Sequence, residues 1–183
     1  GLPRALGCLR NMEPIEAYAL FKLGKLSSDE IANLAGLWLD RGIYTDSLND
    51  IFYNKSQNIE ELSPAFKKAM NELGIKEPTR VESAHILITA KLNEIVKGEL
   101  KPEEGASFLY WNVHHELTNE LPDKEYIGDN LGLEHIFCWL REIWDCKDGS
   151  MILYHNDLPR PEAETKFKEH LIEEAQKWLQ TAT

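Results

Sequence analysis

Six histidines and three cysteines are the residues of this chain best suited to catalysis or metal binding, and their spacing limits what they can do. Glu82 and His85 make one Glu-x-x-His pair, which on a helix puts a carboxylate and an imidazole on adjacent turns. A di-iron bundle needs two such pairs and two further glutamates, and no second Glu-x-x-His occurs. His114, His115 and Glu116 are neighbours in sequence, but consecutive helical residues point about 100° apart, so they cannot grip one metal together. No His-Glu-x-x-His is present, which removes a common helical zinc site. His170 and Glu173 read as a solvated pair on an outward face. Tyr154-His155-Asn156-Asp157 is a polar cluster before a proline-rich turn, and a secondary candidate because loops carry function. His115 is the sharpest catalytic candidate. It shares a helical face with Phe108 and Trp111, where a neutral imidazole could act as a base. The competing reading is a buried histidine hydrogen-bonded to backbone or water.

Cys8, Cys138 and Cys146 are odd in number and lack a short paired spacing, which argues against a disulfide framework or a zinc knuckle. Packed thiols are the natural expectation for Cys138 and Cys146, and the cytosol is the natural compartment. A Gly-rich phosphate loop, a Gly-x-Ser-x-Gly elbow and a basic stripe are all missing. The chain is therefore expected to have no catalytic residue, no cofactor and no metal.

The elements that would position these groups read as helices throughout. Residues 13–24 suggest a first helix, with Ile15, Ala19 and Leu20, or Ala17, Leu20 and Phe21, facing inward. Ser27-Ser28-Asp29-Glu30 is an N-cap cluster, and Ile31, Leu34, Ala35, Trp38 and Leu39 follow at helical spacing. Thr45 or Asp46 caps a short helix through Leu48, Ile51 and Phe52. Residues 59–73 form another helix with Leu62, Phe66, Ala69, Met70 and Leu73 inward, and Pro64 in its first turns leaves Ser63 as an alternative start. Pro78 or Thr79 opens a helix to about Lys97, with Val81, Ala84, Ile88, Leu92 and Ile95 on one stripe. Gly24, Gly42, Gly74 and Gly98 sit where helices should stop.

Gly98 to Leu117 is the central stretch. Pro102 suits a first helical turn, and Glu103 and Glu104 suit its positive end. Ala106, Leu109, Tyr110, Val113 and Leu117 make one apolar stripe. Phe108, Trp111 and His115 make a second, roughly opposite, expected to be core or the lining of a groove. Asn119–Asn130 is a polar loop. Leu131–Asp145 is a helix burying Leu133, Ile136, Phe137, Leu140 and Trp144, with Glu134, His135, Arg141, Glu142 and Asp145 outward. Met151–Tyr154 suggests a short extended segment, and Pro161 or Glu162 begins a final helix with Phe167, Leu171, Ala175 and Trp178 inward. The fold class is all-α: a single-domain antiparallel bundle, or stacked helix pairs, of about seven to eight helices spanning residues 1–183. Met12 is a candidate native start, which would make residues 1–11 a disordered or appended extension.

Composition places this chain among globular proteins, with 43% hydrophobic and 28% charged residues. No apolar run is long enough for a membrane helix, so no membrane association is expected. The net charge of −11 is lopsided. Residues 1–91 hold 11 Lys/Arg against 12 Asp/Glu, while residues 92–183 hold 9 against 19. Glu116, Glu120, Asp123, Glu125, Asp129 and Glu134 face a single Lys124 over Glu116–Glu134. Such a surface repels nucleic acid and attracts basic proteins. It is either a solvated acidic face that aids solubility or a docking face for a cationic partner.

Leu26-Ser27-Ser28-Asp29-Glu30-Ile31, Trp38-Leu39-Asp40-Arg41-Gly42, Asp46-Ser47-Leu48, Asn71-Glu72-Leu73-Gly74-Ile75 and the run from Ile95 to Ala106 together resemble a family of small helical bacterial proteins of unassigned activity. Proteins of this kind are found as immunity proteins beside bacterial toxins, and the resemblance spans about residues 26–115. It implies a protein that binds and neutralises a cognate toxin domain, a basic nuclease being the natural partner for an acidic inhibitor. The expected partner-binding residues are Glu116, Glu120, Asp123, Glu125, Asp129, Glu134, Asp145 and Asp148, joined by any exposed aromatic among them. The rival readings are a small hydrolase-like enzyme using the Phe108, Trp111 and His115 face, and a helical protein-interaction module.

Overall fold

The computed structural model describes residues 4, 6–54, 58–122 and 124–182. Among these, nine α-helices and no strand are found, so the fold is all-α as the periodicity predicts. Residues 1–86 and 87–183 form two compact units.

In the first unit the chain runs through α1 (Leu6–Leu9), α2 (Pro14–Lys22), α3 (Ser28–Asp40), α4 (Asp46–Tyr53) and α5 (Ile59–Glu72) into the start of α6 (Arg80–Val96). The starts of α3 to α6 are closed by side chains, whereas α2 begins on Pro14 without a side-chain cap. Ser27 Oγ accepts the Glu30 N–H at 3.2 Å while Glu30 accepts the Ser27 N–H at 3.1 Å, a reciprocal cap for α3. Thr45 caps α4 and Asn58 caps α5. Thr79 and Glu82 repeat the reciprocal cap at α6. The apolar periodicity then decides what is buried: Ile31, Leu34, Ala35 and Trp38 of α3, Leu48 and Ile51 of α4, and Leu62, Phe66, Ala69 and Met70 of α5. Tyr18 of α2 meets Phe66 edge-on, with ring centres 5.8 Å apart. Leu9 of α1 is buried, and the Met12 carbonyl accepts the Trp38 indole N–H at 2.9 Å.

α5 starts at Ile59, the first residue of the expected range, and the alternative start at Ser63 is excluded. Pro64 sits inside α5, because the Asn58 cap and the buried Leu62 establish the first turn ahead of it. Proline removes one backbone donor there without ending the helix.

The second unit holds the rest of α6, α7 (Pro102–Phe108), a π-helical turn (Leu109–His114), short 3₁₀ turns at His115–Leu117 and Asp129–Leu131, α8 (Glu134–Asp148) and α9 (Arg160–Thr181). Arg160, at the start of α9, donates to the Asp145 carbonyl near the end of α8 at 2.9 Å. Trp178, near the end of α9, donates to the Leu131 carbonyl just before α8 at 3.0 Å. The two helices are therefore antiparallel, and they bury Ile136, Phe137, Leu140 and Ile143 with Ala163, Phe167, Leu171 and Ala175. Glu103 of α7 pairs with Lys147 of α8 and Lys168 of α9, at 3.6 and 3.4 Å, and so ties α7 to both.

Two expectations fail here. Residues 151–159 form no strand: the connection between α8 and α9 is irregular, with only Ile152 buried deeply among residues 151–154. Glu142 does not face outward; it is 1% exposed. Its carboxylate accepts the Leu153 N–H at 2.9 and 3.3 Å, so it serves the backbone of that irregular connection.

Candidate functional site

The site is built on the π-helical turn. Pro102 starts α7 as expected, and Ala106, Leu109, Val113 and Leu117 are completely buried along its inner face. Within the turn the His115 N–H bonds to the Tyr110 carbonyl five residues back. Bonding to the fifth residue takes more residues per turn, so each residue rotates by less than the roughly 100° of an α-helix. The two stripes that the α-helical period keeps apart therefore converge on Tyr110. Its ring centre lies 4.8 Å from Trp111, 6.0 Å from both His114 and His115, 5.2 Å from Phe137 and 5.6 Å from Trp144. Of the two readings of the second stripe, core is corrected, while groove lining holds for Phe108 and Trp111 and not for His115. Phe108 is half-buried, Trp111 is 52% exposed and His115 is exposed.

Two hollows flank Trp144, which lines both. The first, of about 370 Å³, is lined by Tyr110, Tyr126, Ile127, Phe137, Cys138 and Trp144, with Glu125, Glu134 and Arg141 as its charged groups. The second, of about 450 Å³, is more open and is lined by Glu103, Glu104, Ser107, Phe108, Trp111 and Asn112 beside Trp144. Gly128 shapes the first. At φ 86° it adopts a backbone that L side chains avoid, and a Cβ there would stand 2.5 Å from the Phe137 ring. Only glycine lets the Tyr126–Ile127 loop lie this close to α8.

Polar atoms at this site are left without partners. Oε2 of Glu134, Nδ1 of His114 and Oε2 of Glu103 are buried and accept no hydrogen bond among the described residues. Buried polar atoms are ordinarily satisfied, so these three stand out; the Glu134 and Glu103 side chains line the first and second hollows, and His114 lines neither. Burial, and then the neighbouring His115, holds His114 below the usual histidine range, so its ring is neutral near pH 7. Burial pushes Glu103 up, but its own backbone N–H and the Lys168 and Lys147 ammonium groups outweigh this and hold it below the usual carboxylate range.

The eight acids expected to bind a partner do not form one patch. Glu125 and Glu134 meet at the first hollow. Glu116 and Asp129 are half-buried on the two 3₁₀ turns, and Glu120 is exposed between them. Asp123 lies outside the described residues. Asp145 and Asp148 lie toward the other end of α8, Asp148 about 20 Å from Glu134 along the axis. Asp148 accepts the Ser150 N–H at 2.8 Å, and hydrogen bonding to Ser150 with the charge of Arg160 keeps it below the usual range. It serves a turn.

The other reactive groups are also placed. His115 lines neither hollow. Glu82, of the Glu-x-x-His pair, is held in the cap of α6. Burial pushes the Cys138 and Cys146 thiols up, which suits packed rather than nucleophilic cysteines. His155 and His170 are brought together, with Nε2 atoms 2.9 Å apart and ring centres 5.2 Å apart at 10°. Those three values mean that the two nitrogens point at each other along one line, the geometry of an N–H···N bond. Lone pairs converging on a metal would meet at an angle instead. Among the described residues no group of three or more potential metal ligands occurs.

Tyr126, 62% exposed, is an exposed aromatic among the acids of the kind sequence reasoning allowed for without naming it, and Ile127, also 62% exposed, is one that it missed. The available signal was two large apolar residues together inside an otherwise polar loop. Comparison of the chain with protein-family models, with curated proteins and with solved structures finds no match. No helix among the described residues is long and apolar enough to cross a membrane.

Proposed function

We propose that this chain is an immunity-type inhibitor: it binds a basic protein partner, a toxin domain being the natural candidate, and blocks it without chemistry of its own. The observation that supports this is the exposure of Trp111, Tyr126 and Ile127 around hollows edged by Glu104, Glu125 and Glu134, with Arg141 opposing them at the first. Large apolar side chains held in water, beside charges of one dominant sign, suit an anchor surface for a partner of opposite charge. The resemblance of residues 26–115 to small bacterial proteins found beside toxins supports the narrower identity. A cytoplasmic location agrees with three unpaired thiols.

The test is co-expression with the basic protein encoded beside this chain, followed by purification across a salt series. A one-to-one complex that weakens with salt, loses affinity in Trp111→Ala and suppresses the partner's toxicity is the expected result. A neighbour that fails to bind at low salt, or binds equally well to Trp111→Ala and Tyr126→Ala, would overturn the reading.

A further inference from the structure

We infer that the first hollow is an anchoring site for one arginine side chain of the basic partner, with Glu134 as the carboxylate that meets its guanidinium. This rests on the partner-binding reading above and gives it a specific chemistry.

The lining carries the argument. Phe137 and Trp144 stand nearly perpendicular to Tyr110, at 82° and 88°, so the wall offers both ring faces and ring edges. A flat, weakly hydrated cation is attracted to aromatic faces, and a guanidinium stacks there better than an ammonium does. The volume of about 370 Å³ lies within the range of sites that enclose a small ligand. Oε2 of Glu134 is buried with no hydrogen bond among the described residues, and a buried carboxylate oxygen gains most from a charged donor. A fork of parallel N–H groups supplies that donor with the geometry a carboxylate accepts.

Arg141 also lines the hollow and must be accounted for. It follows Glu134 by seven residues on α8, which places it about 10 Å further along the axis. His135 Nε2 lies 3.6 Å from Oε1 of Glu134 and leaves Oε2 without a partner among the described residues, so the Glu134 end takes the cation, while the Arg141 end suits a carbonyl or carboxylate of the same partner segment. The second hollow repeats the pairing of carboxylate and aromatic, but Lys147 and Lys168 already neutralise Glu103 there. It is assigned no cation.

The experiment follows the indole N–H resonances of the full chain by NMR, with Trp144 assigned through Trp144→Phe. Acetyl-Gly-Arg-Gly-amide is titrated against its lysine and citrulline counterparts. The arginine peptide should move the Trp144 signal saturably and the lysine peptide should bind more weakly. The citrulline peptide, equal in shape but uncharged, should leave the signal in place. Glu134→Gln should weaken arginine binding about tenfold and Tyr126→Ala about fivefold, while Arg141→Ala should strengthen it. Tyr126 is exposed and Glu134→Gln keeps its shape, so both variants should retain the wild-type helical circular dichroism. Equal binding of arginine and citrulline, an unmoved Trp144 signal, or an unaffected Glu134→Gln would each overturn the assignment. If the peptide fails while a basic protein still binds through Trp111, the arginine site falls and the partner-binding reading stands. If the peptide binds as expected and no basic protein does, the inhibitor reading falls alone.

Discussion

The two units obey local rules to different degrees. In residues 1–86, α3, α4, α5 and α6 begin with a side chain closing the first turn, and α2 is the exception among those longer than one turn. In residues 87–183, α7, α8 and α9 have no side-chain cap at all. The buried polar atoms without hydrogen bonds among the described residues belong to Glu103, His114, Asn130, Glu134 and Glu164, all in the second unit. So do the π-helical turn, both hollows flanking Trp144, and 19 acids against 10 bases. Natural chains keep local and tertiary preferences consistent except where function needs otherwise. The contrast teaches that local capping and polar satisfaction are kept more fully in the first unit and relaxed in the second, where the proposed partner surface lies.

Breaking the first unit should cost stability, and altering the second should cost recognition. The largest effect is expected from Trp38→Ala. The ring is 1% exposed and bonds the Met12 carbonyl, so its loss should lower unfolding free energy by about 3–5 kcal/mol, read from urea denaturation. Gly128→Ala comes next, at about 2 kcal/mol, because it strains a positive φ and drives a methyl group into Phe137. It should also change partner binding, which Trp38→Ala in a still-folded sample should not. Ser27→Ala removes the reciprocal cap of α3 and should cost about 1 kcal/mol with no effect on binding.

A smaller effect should appear with pH. His114 has a folded-state pKa below its unfolded value of 6.5, so the unfolded chain takes up a proton first. The stability linked to His114 is complete above that unfolded value and declines as pH falls through and below it. Denaturation midpoints at about pH 7.5 and about pH 5.5 should differ more for the native chain than for His114→Leu. Equal differences would remove His114 from the account. The smallest stability change is expected from Trp111→Ala, within about 0.5 kcal/mol, because half its surface is already in water. In binding it should rank first, at about 2 kcal/mol or more. If stability and binding moved together in this variant, the division between the units would not hold.

Much of the fold was legible because it is local. Ser27 and Thr45 close helices where their side-chain chemistry says they should, and the stripes of α3, α5 and α9 are buried at Trp38, Phe66 and Phe167 as their spacing requires. The site was less legible. Glu125 and Glu134 were picked from charge and do reach the hollow, yet Asp145 and Asp148, picked on the same grounds, lie elsewhere on α8. A tally of charges along a chain records sign, not the face on which each residue falls.

The sequence by itself determined the all-α class, most helix boundaries and the acidity of the second half, because periodicity, capping and composition act over a few residues. Tertiary structure alone decided that Glu142 is buried, since its partner is the Leu153 N–H eleven residues away in an irregular connection. It also decided that Tyr110, Phe137 and Trp144 enclose one hollow, and that Trp111 stays in water. The rotation per residue changes where backbone bonding shifts from the fourth to the fifth residue, and with it which side chains meet. That shift depends on how α7 and the π-helical turn pack against α8 and α9, which no short window of sequence contains.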